Sequence, residues 1–148
     1  MTEQPSSAAA RLDAGRLWAG GLATALVAAL VAVAGIVVTR GLLDVPVLAP
    51  KGDGMWGNAN TLTYALASGA AALVATALLQ VLVLTTPRHG RFFTWIMALA
   101  TAIATALPLG LDTDLTSRIA TSVLNLVLGI AITTTLGAVG RTAIRRGG

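Results

Sequence analysis

Four long runs without a charged residue are the feature that most restricts this 148-residue sequence. Three of them, 17–39, 92–111 and 119–140, contain 23, 20 and 22 residues, and a fourth apolar run covers about 62–86. At 1.5 Å rise per residue, a helix over each run reaches about 30 Å or more, the thickness of the hydrocarbon core of a bilayer. The runs lack the alternation of barrel strands, and a helix satisfies its own backbone within lipid. The sequence therefore predicts four transmembrane helices.

Composition supports a membrane protein and excludes several other classes. Hydrophobic residues make up 55% of the chain and charged residues 11%, whereas soluble domains carry about 25% charged residues. The apolar content excludes disorder, and the absence of cysteine excludes a disulfide scaffold, a zinc-thiolate site and a thiol enzyme. The ten basic residues are too scattered for nucleic-acid binding, so membrane lipids are the expected surroundings. The predicted fold is an all-α, integral membrane, antiparallel four-helix bundle.

The positions of Lys and Arg predict how this bundle lies in the membrane. Seven of the ten lie in the N-terminal segment, the 87–91 connection and the C-terminal segment, and three lie in the other two connections. Because the side richer in Lys and Arg stays cytoplasmic, both termini are expected inside, in the plasma membrane. Residues 1–15 are then a disordered cytoplasmic tail, 16–140 the membrane domain and 141–148 a basic cytoplasmic tail. The longer loop at 40–61, between the first and second helices, is expected to be extracytoplasmic.

Small residues at spacings of three and four mark the predicted contact faces, because lipid tails give helices no hydrophobic reason to associate. In the first span this stripe consists of Gly21, Thr24, Ala28, Ala32, Gly35 and Thr39. In the third span it consists of Thr94, Ala98, Thr101, Thr105 and Pro108. The stripes predict packing within one bundle or a homo-oligomer. A permeation path lined by the threonines is the alternative.

Two strongly polar side chains, Gln80 and Asn125, lie inside the predicted spans at different depths. We expect each to form a hydrogen bond to a neighbouring helix, not to the other, with a contribution of roughly 0.6–2 kcal/mol. A solute site is the alternative for both. Together with three threonines they are the candidate polar contacts between helices: Gln80, Asn125, Thr101, Thr105 and Thr133.

The predicted spans contain no Asp, Glu, Lys, Arg or His. Proton-coupled transport normally needs an ionisable group within the membrane, and haem ligation across helices needs more than the single His89. The sequence therefore predicts no catalytic, cofactor-binding or metal-binding residue, and we do not expect an enzyme.

The loop between the first two spans is rich in apolar and turn-forming residues. Pro46 and Pro50 favour extended backbone around them, and Lys51-Gly52-Asp53-Gly54 favours a turn. Because the loop is so apolar, we expect it to fold over the outer helix ends as a lid. Its charged and aromatic residues are the candidate interaction residues: Arg40, Asp44, Lys51, Asp53 and Trp56.

The same loop suggests a family. Its Leu-Asp-Val-Pro-Val-Leu-Ala-Pro run at 43–50, with Trp-Gly at 56–57, resembles a group of small four-helix integral membrane proteins. These proteins belong to high-GC Gram-positive (actinobacterial-type) bacteria and are classed only as a domain of unknown function. The resemblance covers about 17–140. It implies this architecture and a bacterial source, but no activity.

The expected function is a non-enzymatic interaction or assembly role through the outer loop and the helix faces. The partner would be a second copy of the chain or another membrane protein. Two alternatives stay open: a small transporter or channel component that uses no intramembrane ionisable group, and a lipid-binding membrane protein.

Overall fold

Four helices make up most of the chain. The computed structural model describes residues 11–44, 48–51, 55–58 and 60–145. The helices are α1 (Ala14–Val37), α2 (Thr61–Thr85), α3 (His89–Ala106) and α4 (Leu115–Ala143). A π-helical turn over Val38–Leu42 continues α1, and a 3-10 turn over Leu107–Gly110 continues α3. The short strands are β1 (Arg11–Leu12), β2 (Leu48–Lys51), β3 (Met55–Asn58) and β4 (Ile144–Arg145).

All four helices are long and apolar enough to cross a membrane, as predicted from the charge-free runs. With their terminal turns they contain 29, 25, 22 and 29 residues. Large apolar side chains cover the outside of the bundle, among them Leu26, Val74 and Ile103, each more than half exposed. So much exposed apolar surface is typical of a protein whose surroundings are lipid. The predicted all-α fold, with four helices long and apolar enough to cross a membrane, is therefore confirmed.

All four helices begin before the predicted spans, and aspartates cap two of them, α1 and α4. Asp13 Oδ1 accepts a hydrogen bond from the Arg16 backbone N–H at 3.0 Å, and Asp114 Oδ2 accepts one from the Ser117 N–H at 3.2 Å. These side chains satisfy amide groups that lack a partner within the helix. As a result, α1 begins at residue 14 rather than 17, and α4 begins at residue 115 rather than 119.

The predicted small-residue stripe of α1 faces the interior. From Gly21 to Ala32 its members are buried, and α1 packs on both α2 and α4. The approach is close: a Cβ added to Gly21 would lie 2.5 Å from Thr76 Cγ2, and one added to Gly35 would lie 2.3 Å from Leu124 Cδ1. Small residues thus let the backbone of α1 approach α2 and α4, as membrane helix packing requires.

The predicted stripe of α3 is only partly a contact face. Thr101 and Thr105 are half-buried and Pro108 is buried, but Thr94 and Ala98 are exposed. Thr94 and Ala98 lie outside the contacts within the bundle, because α3 and α4 contact each other closely around Thr101 but leave a groove open beside Thr94. Contact with a second chain, the other possibility predicted for this stripe, stays a prediction.

Two strand pairs were not predicted. β1 pairs with β4, so that Arg11 lies opposite Arg145, and the Asp13 backbone N–H donates to the Ala143 carbonyl at 3.0 Å. β1 and the start of α1 therefore lie within the segment 1–15 that was predicted to be a tail. Residues 141–145 likewise belong to α4 and β4. The remainder of both predicted tails lies outside the described residues.

The second pair, β2 with β3, is antiparallel and lies in the predicted outer loop, with Leu48 opposite Asn58 and Lys51 opposite Met55. β2 contacts α4, so this hairpin lies against the bundle. We call this the hairpin end. The opposite end holds the start of α1, the α2–α3 connection and the end of α4, and we call it the Arg141 end. The predicted turn at 51–54 lies mostly outside the described residues.

Candidate functional site

Asn125 is the polar centre of the hairpin end. Its Nδ2 donates to the carbonyl of Ala104 in α3 at 2.7 Å, and its Oδ1 accepts from the hydroxyl of Tyr64 in α2. Tyr64 is buried, and its own carbonyl accepts from Ser68 Oγ at 2.8 Å. One amide side chain of α4 thus joins three helices, which is the type of contact expected for a polar residue within a membrane.

Gln80 makes the equivalent contact near the Arg141 end. Its Oε1 accepts from the indole Nε1–H of Trp18 at 2.7 Å, which connects α2 with α1. Gln80 and Asn125 therefore bond to different helices and not to each other. Trp18 and Tyr64 were not among the predicted site residues. Both lie near the start of a span and have a polar tip, which is the signal that could have paired them with an amide at similar depth.

The threonines behave differently from the two amides. The hydroxyl of Thr133 donates to the Gly129 carbonyl at 2.7 Å within α4, so the expected contact between helices is replaced by one within its own helix. Thr101 contacts Gly129 across the α3–α4 interface. Thr24, Thr76, Thr121 and Thr134 also donate to carbonyls four residues earlier. Such bonds satisfy a hydroxyl in an apolar surrounding without a partner helix.

Three buried polar atoms have no hydrogen-bond partner within the described part of the chain: Thr105 Oγ1, Ser122 Oγ and Arg118 Nε. Arg118 and Ser122 are four residues apart in α4 and therefore share a face. Ser122 is 5% exposed. Buried polar groups normally have a partner, so this part of α3 and α4 is chemically able to bind a water molecule or a small polar solute.

The five predicted loop residues are only partly described. Arg40 is half-buried in the π-helical turn and makes a polar interaction there, and Asp44 is exposed with φ 52°, in the left-handed region. Lys51 and Trp56 belong to β2 and β3, opposite Met55 and Pro50. Their side chains, and Asp53 as a whole, lie outside the described residues.

A groove of about 810 Å³ opens at the Arg141 end. Its floor is apolar and comes from three helices, with Leu79 of α2, Phe93 of α3 and Leu136 of α4. Arg141, His89 and Thr94 contribute the polar side chains of its lining. The sequence indicated no site here, because the groove depends on how α3 and α4 separate.

Within the described ranges there is no group of three His, Cys, Asp or Glu side chains able to hold a metal ion. The arrangement of polar groups is instead one of hydrogen-bonded amides inside the bundle and of basic groups at one end.

A family model matches residues 12–142, which is most of the chain. The protein belongs to a family of unknown function, DUF6069. The predicted membership of a domain of unknown function is thereby confirmed. No curated protein and no solved structure matches the chain.

The DUF6069 match includes the hairpin, α1, α2, α3 and α4 up to residue 142. It also includes both polar contacts, at Gln80 and Asn125, and the groove residues from Leu79 to Arg141. These features of the DUF6069 protein are therefore the basis for its proposed function.

Proposed function

We propose that the protein is a non-enzymatic assembly component of the plasma membrane that associates with a second copy of itself through α3. The bundle is antiparallel in this proposal, with both termini cytoplasmic and the hairpin outside. The distribution of Lys and Arg supports that orientation.

The exposed face of α3 is the observation on which this proposal depends. Ala98, Ala102 and Ala106 are exposed and spaced four residues apart, which forms a small-xxx-small stripe without a partner in the described chain. α3 is also the least packed helix, with 17% of its apolar stretch buried against 28% for each of the others. Such a stripe allows two helix backbones to approach closely in lipid.

The interior of the bundle supports an assembly role in a second way. Gln80 and Asn125 already have hydrogen-bond partners on neighbouring helices, and the threonine hydroxyls donate to their own helices. These groups stabilise the bundle and leave few free polar atoms for a continuous path. The helix faces and the hairpin are then the surfaces left for an interaction.

The substitution Ala102→Ile tests self-association directly. Because Ala102 is exposed, the larger side chain leaves the bundle itself intact, but it separates two α3 helices that meet at this stripe. We expect the dimer dissociation constant to rise about tenfold or more, which corresponds to about 1.4 kcal/mol. The measurement is energy transfer between labelled full-length chains in vesicles, at increasing dilution in lipid.

Ala34→Ile is the matched control. Ala34 is an exposed alanine on α1, but bulky Leu30 and Val38 lie four residues to either side of it. We expect this variant to associate like the unchanged chain. Equal association of all three chains, or an equal loss in both variants, contradicts the proposal.

The hairpin end gives a further surface for a membrane-protein partner on the outside. We assign this role to the loop residues Arg40, Asp44, Lys51, Asp53 and Trp56, because they combine charge with an aromatic side chain. Replacing Asp44 and Trp56 together by Ala should reduce association with such a partner and leave the α3 dimer unchanged in the same energy-transfer assay.

Passage of a small polar solute is the second candidate function, and the unpartnered Thr105 and Ser122 hydroxyls favour it. The double variant Asn125→Leu and Thr105→Leu distinguishes the two. Under the assembly proposal, vesicles with the unchanged chain and vesicles with this variant show the same background leak of small solutes. A flux that requires the unchanged chain and disappears in the variant replaces the assembly proposal with transport.

A further inference from the structure

The groove at the Arg141 end has the shape of a lipid site. Its volume of about 810 Å³ falls within the range of about 300–1,000 Å³ typical of small-molecule sites. Leu79, Phe93 and Leu136 form its floor and are buried side chains. Because these helices are long and apolar enough to cross a membrane, the groove opens where the acyl chains and headgroups of one leaflet meet.

The polar part of the groove is basic. Arg141 is exposed, and within the described part of the chain it makes no ion pair or side-chain hydrogen bond. Its Nη1 lies 3.8 Å from the position that a Cβ on Gly137 would occupy, so the guanidinium extends over the groove. A guanidinium binds a phosphate through two parallel N–H donors, and the imidazole of His89 offers a further N–H.

Asp13, an acidic residue at the start of α1, does not neutralise the positive charge of the groove. Asp13 accepts from the Arg16 amide as the cap of α1, and it is not among the groove residues. Basic side chains at a membrane surface attract anionic lipids.

The groove is deep beside Gly137, because this residue has no side chain. A Cβ on Gly137 would meet only the Arg141 side chain, at 3.8 Å, whereas a Cβ on Gly129 in the same helix would lie 2.3 Å from Thr101 Oγ1. α3 therefore fills the space beside Gly129, but no α3 atom lies within 4 Å of a Cβ on Gly137.

We propose that this groove binds one anionic phospholipid. The phosphate is held by Arg141 with His89, and an acyl chain lies along Gly137 between α3 and α4. The apolar floor selects a lipid over free phosphate, and the basic lining selects an anionic lipid over a zwitterionic one. The site is independent of self-association through α3.

The first test removes the charge. Full-length protein in detergent is mixed with phosphatidylglycerol or with phosphatidylcholine of the same acyl chains, and lipid adducts on the monomer are counted by native mass spectrometry. We expect Arg141→Gln to bind phosphatidylglycerol about fivefold less than the unchanged chain, and phosphatidylcholine to bind weakly to both. Arg91→Gln is the control, because Arg91 is an exposed arginine of the same end that does not line the groove.

The second test fills the groove without changing charge. Gly137→Leu places a side chain into open space and should reduce phosphatidylglycerol adducts to the level of Arg141→Gln. Gly41→Leu is the control, because Gly41 also has open space but lies at the hairpin end. Inorganic phosphate, which has the headgroup charge but no acyl chain, should not displace the lipid.

Each part of the proposal has a result that would overturn it. Equal phosphatidylglycerol binding by the unchanged chain, Arg141→Gln and Gly137→Leu overturns the site, as does equal loss in the Arg91→Gln control. Equal binding of phosphatidylcholine overturns the selection of an anionic lipid, and displacement by inorganic phosphate overturns the choice of a lipid. Counting adducts on the monomer keeps the result separate from the fate of the α3 dimer.

Discussion

Gly129 and Gly137 lie eight residues apart on α4 and have opposite surroundings, which allows one substitution to be compared at two positions. A Cβ on Gly129 would lie 2.3 Å from Thr101 Oγ1, 2.4 Å from its Cγ2 and 2.8 Å from its Cβ. A Cβ on Gly137 would meet only Arg141, at the ordinary contact distance of 3.8 Å. We therefore expect Gly129→Ala to destabilise the bundle and Gly137→Ala to leave its stability unchanged or to increase it.

The magnitude follows from two effects. In a helix interior, replacing Gly by Ala stabilises by up to about 1 kcal/mol, because Gly loses more backbone freedom. At Gly129, the extra methyl group must displace a β-branched side chain whose Cβ is itself too close, and such overpacking costs about 1–3 kcal/mol. The backbone effect is common to both variants and cancels in their difference. Gly129→Ala should therefore be about 1–3 kcal/mol less stable than Gly137→Ala.

The assay is reversible unfolding of the full-length protein by dodecyl sulfate in mixed micelles, followed by far-ultraviolet circular dichroism. Adding Thr101→Ala to Gly129→Ala removes the atoms in conflict, so the double variant should recover most of the loss. If the two single variants are equally stable, or if Thr101→Ala rescues nothing, the close contact between α3 and α4 at this position is refuted.

The polar contacts give two further predictions with the same assay. Asn125→Leu removes two hydrogen bonds between helices and should cost about 1–3 kcal/mol, whereas Tyr64→Phe removes one and should cost about 0.6–1.7 kcal/mol; equal stability of both variants and the unchanged chain would contradict the bridge. Gln80→Leu removes the acceptor of the Trp18 indole and should shift its fluorescence emission to shorter wavelength, in a chain with Trp18 as the sole tryptophan. An unchanged spectrum would show that this bond does not form in the membrane.

The helices could be predicted from sequence because lipid excludes charge, so long charge-free runs can only be spans. Their ends could not, because Asp13 and Asp114 are charged residues that cap helices from outside those runs. The packing face of α1 was visible in its Gly and Ala spacing, since only small residues allow close backbone contact. Spacing alone did not show that Thr94 and Ala98 lie outside the contacts within the bundle, because it cannot tell where two helices diverge.

The hydrogen-bond partners of the two amide side chains were harder to predict than the amides themselves. Gln80 and Asn125 stand out as amides within apolar runs, but their partners Trp18 and Tyr64 are 62 and 61 residues away along the chain. Pairing β1 with β4 joins residues from opposite ends of the described chain through two residues each, too short for any alternating pattern. The groove depends on Gly137 only because α3 turns away there, which is a property of the assembled bundle.

Cysteine labelling tests the central claim, a four-span bundle with both termini cytoplasmic, most directly. The chain has no native cysteine, so single variants at Gly54, Gly90, Thr113 and Gly148 each report one connection or terminus. In intact cells, a membrane-impermeant maleimide should label Gly54→Cys and Thr113→Cys but not Gly90→Cys or Gly148→Cys, which react only after the membrane is opened. Labelling of Gly90→Cys or Gly148→Cys in intact cells, or protection of Thr113→Cys until the membrane is opened, would contradict this topology.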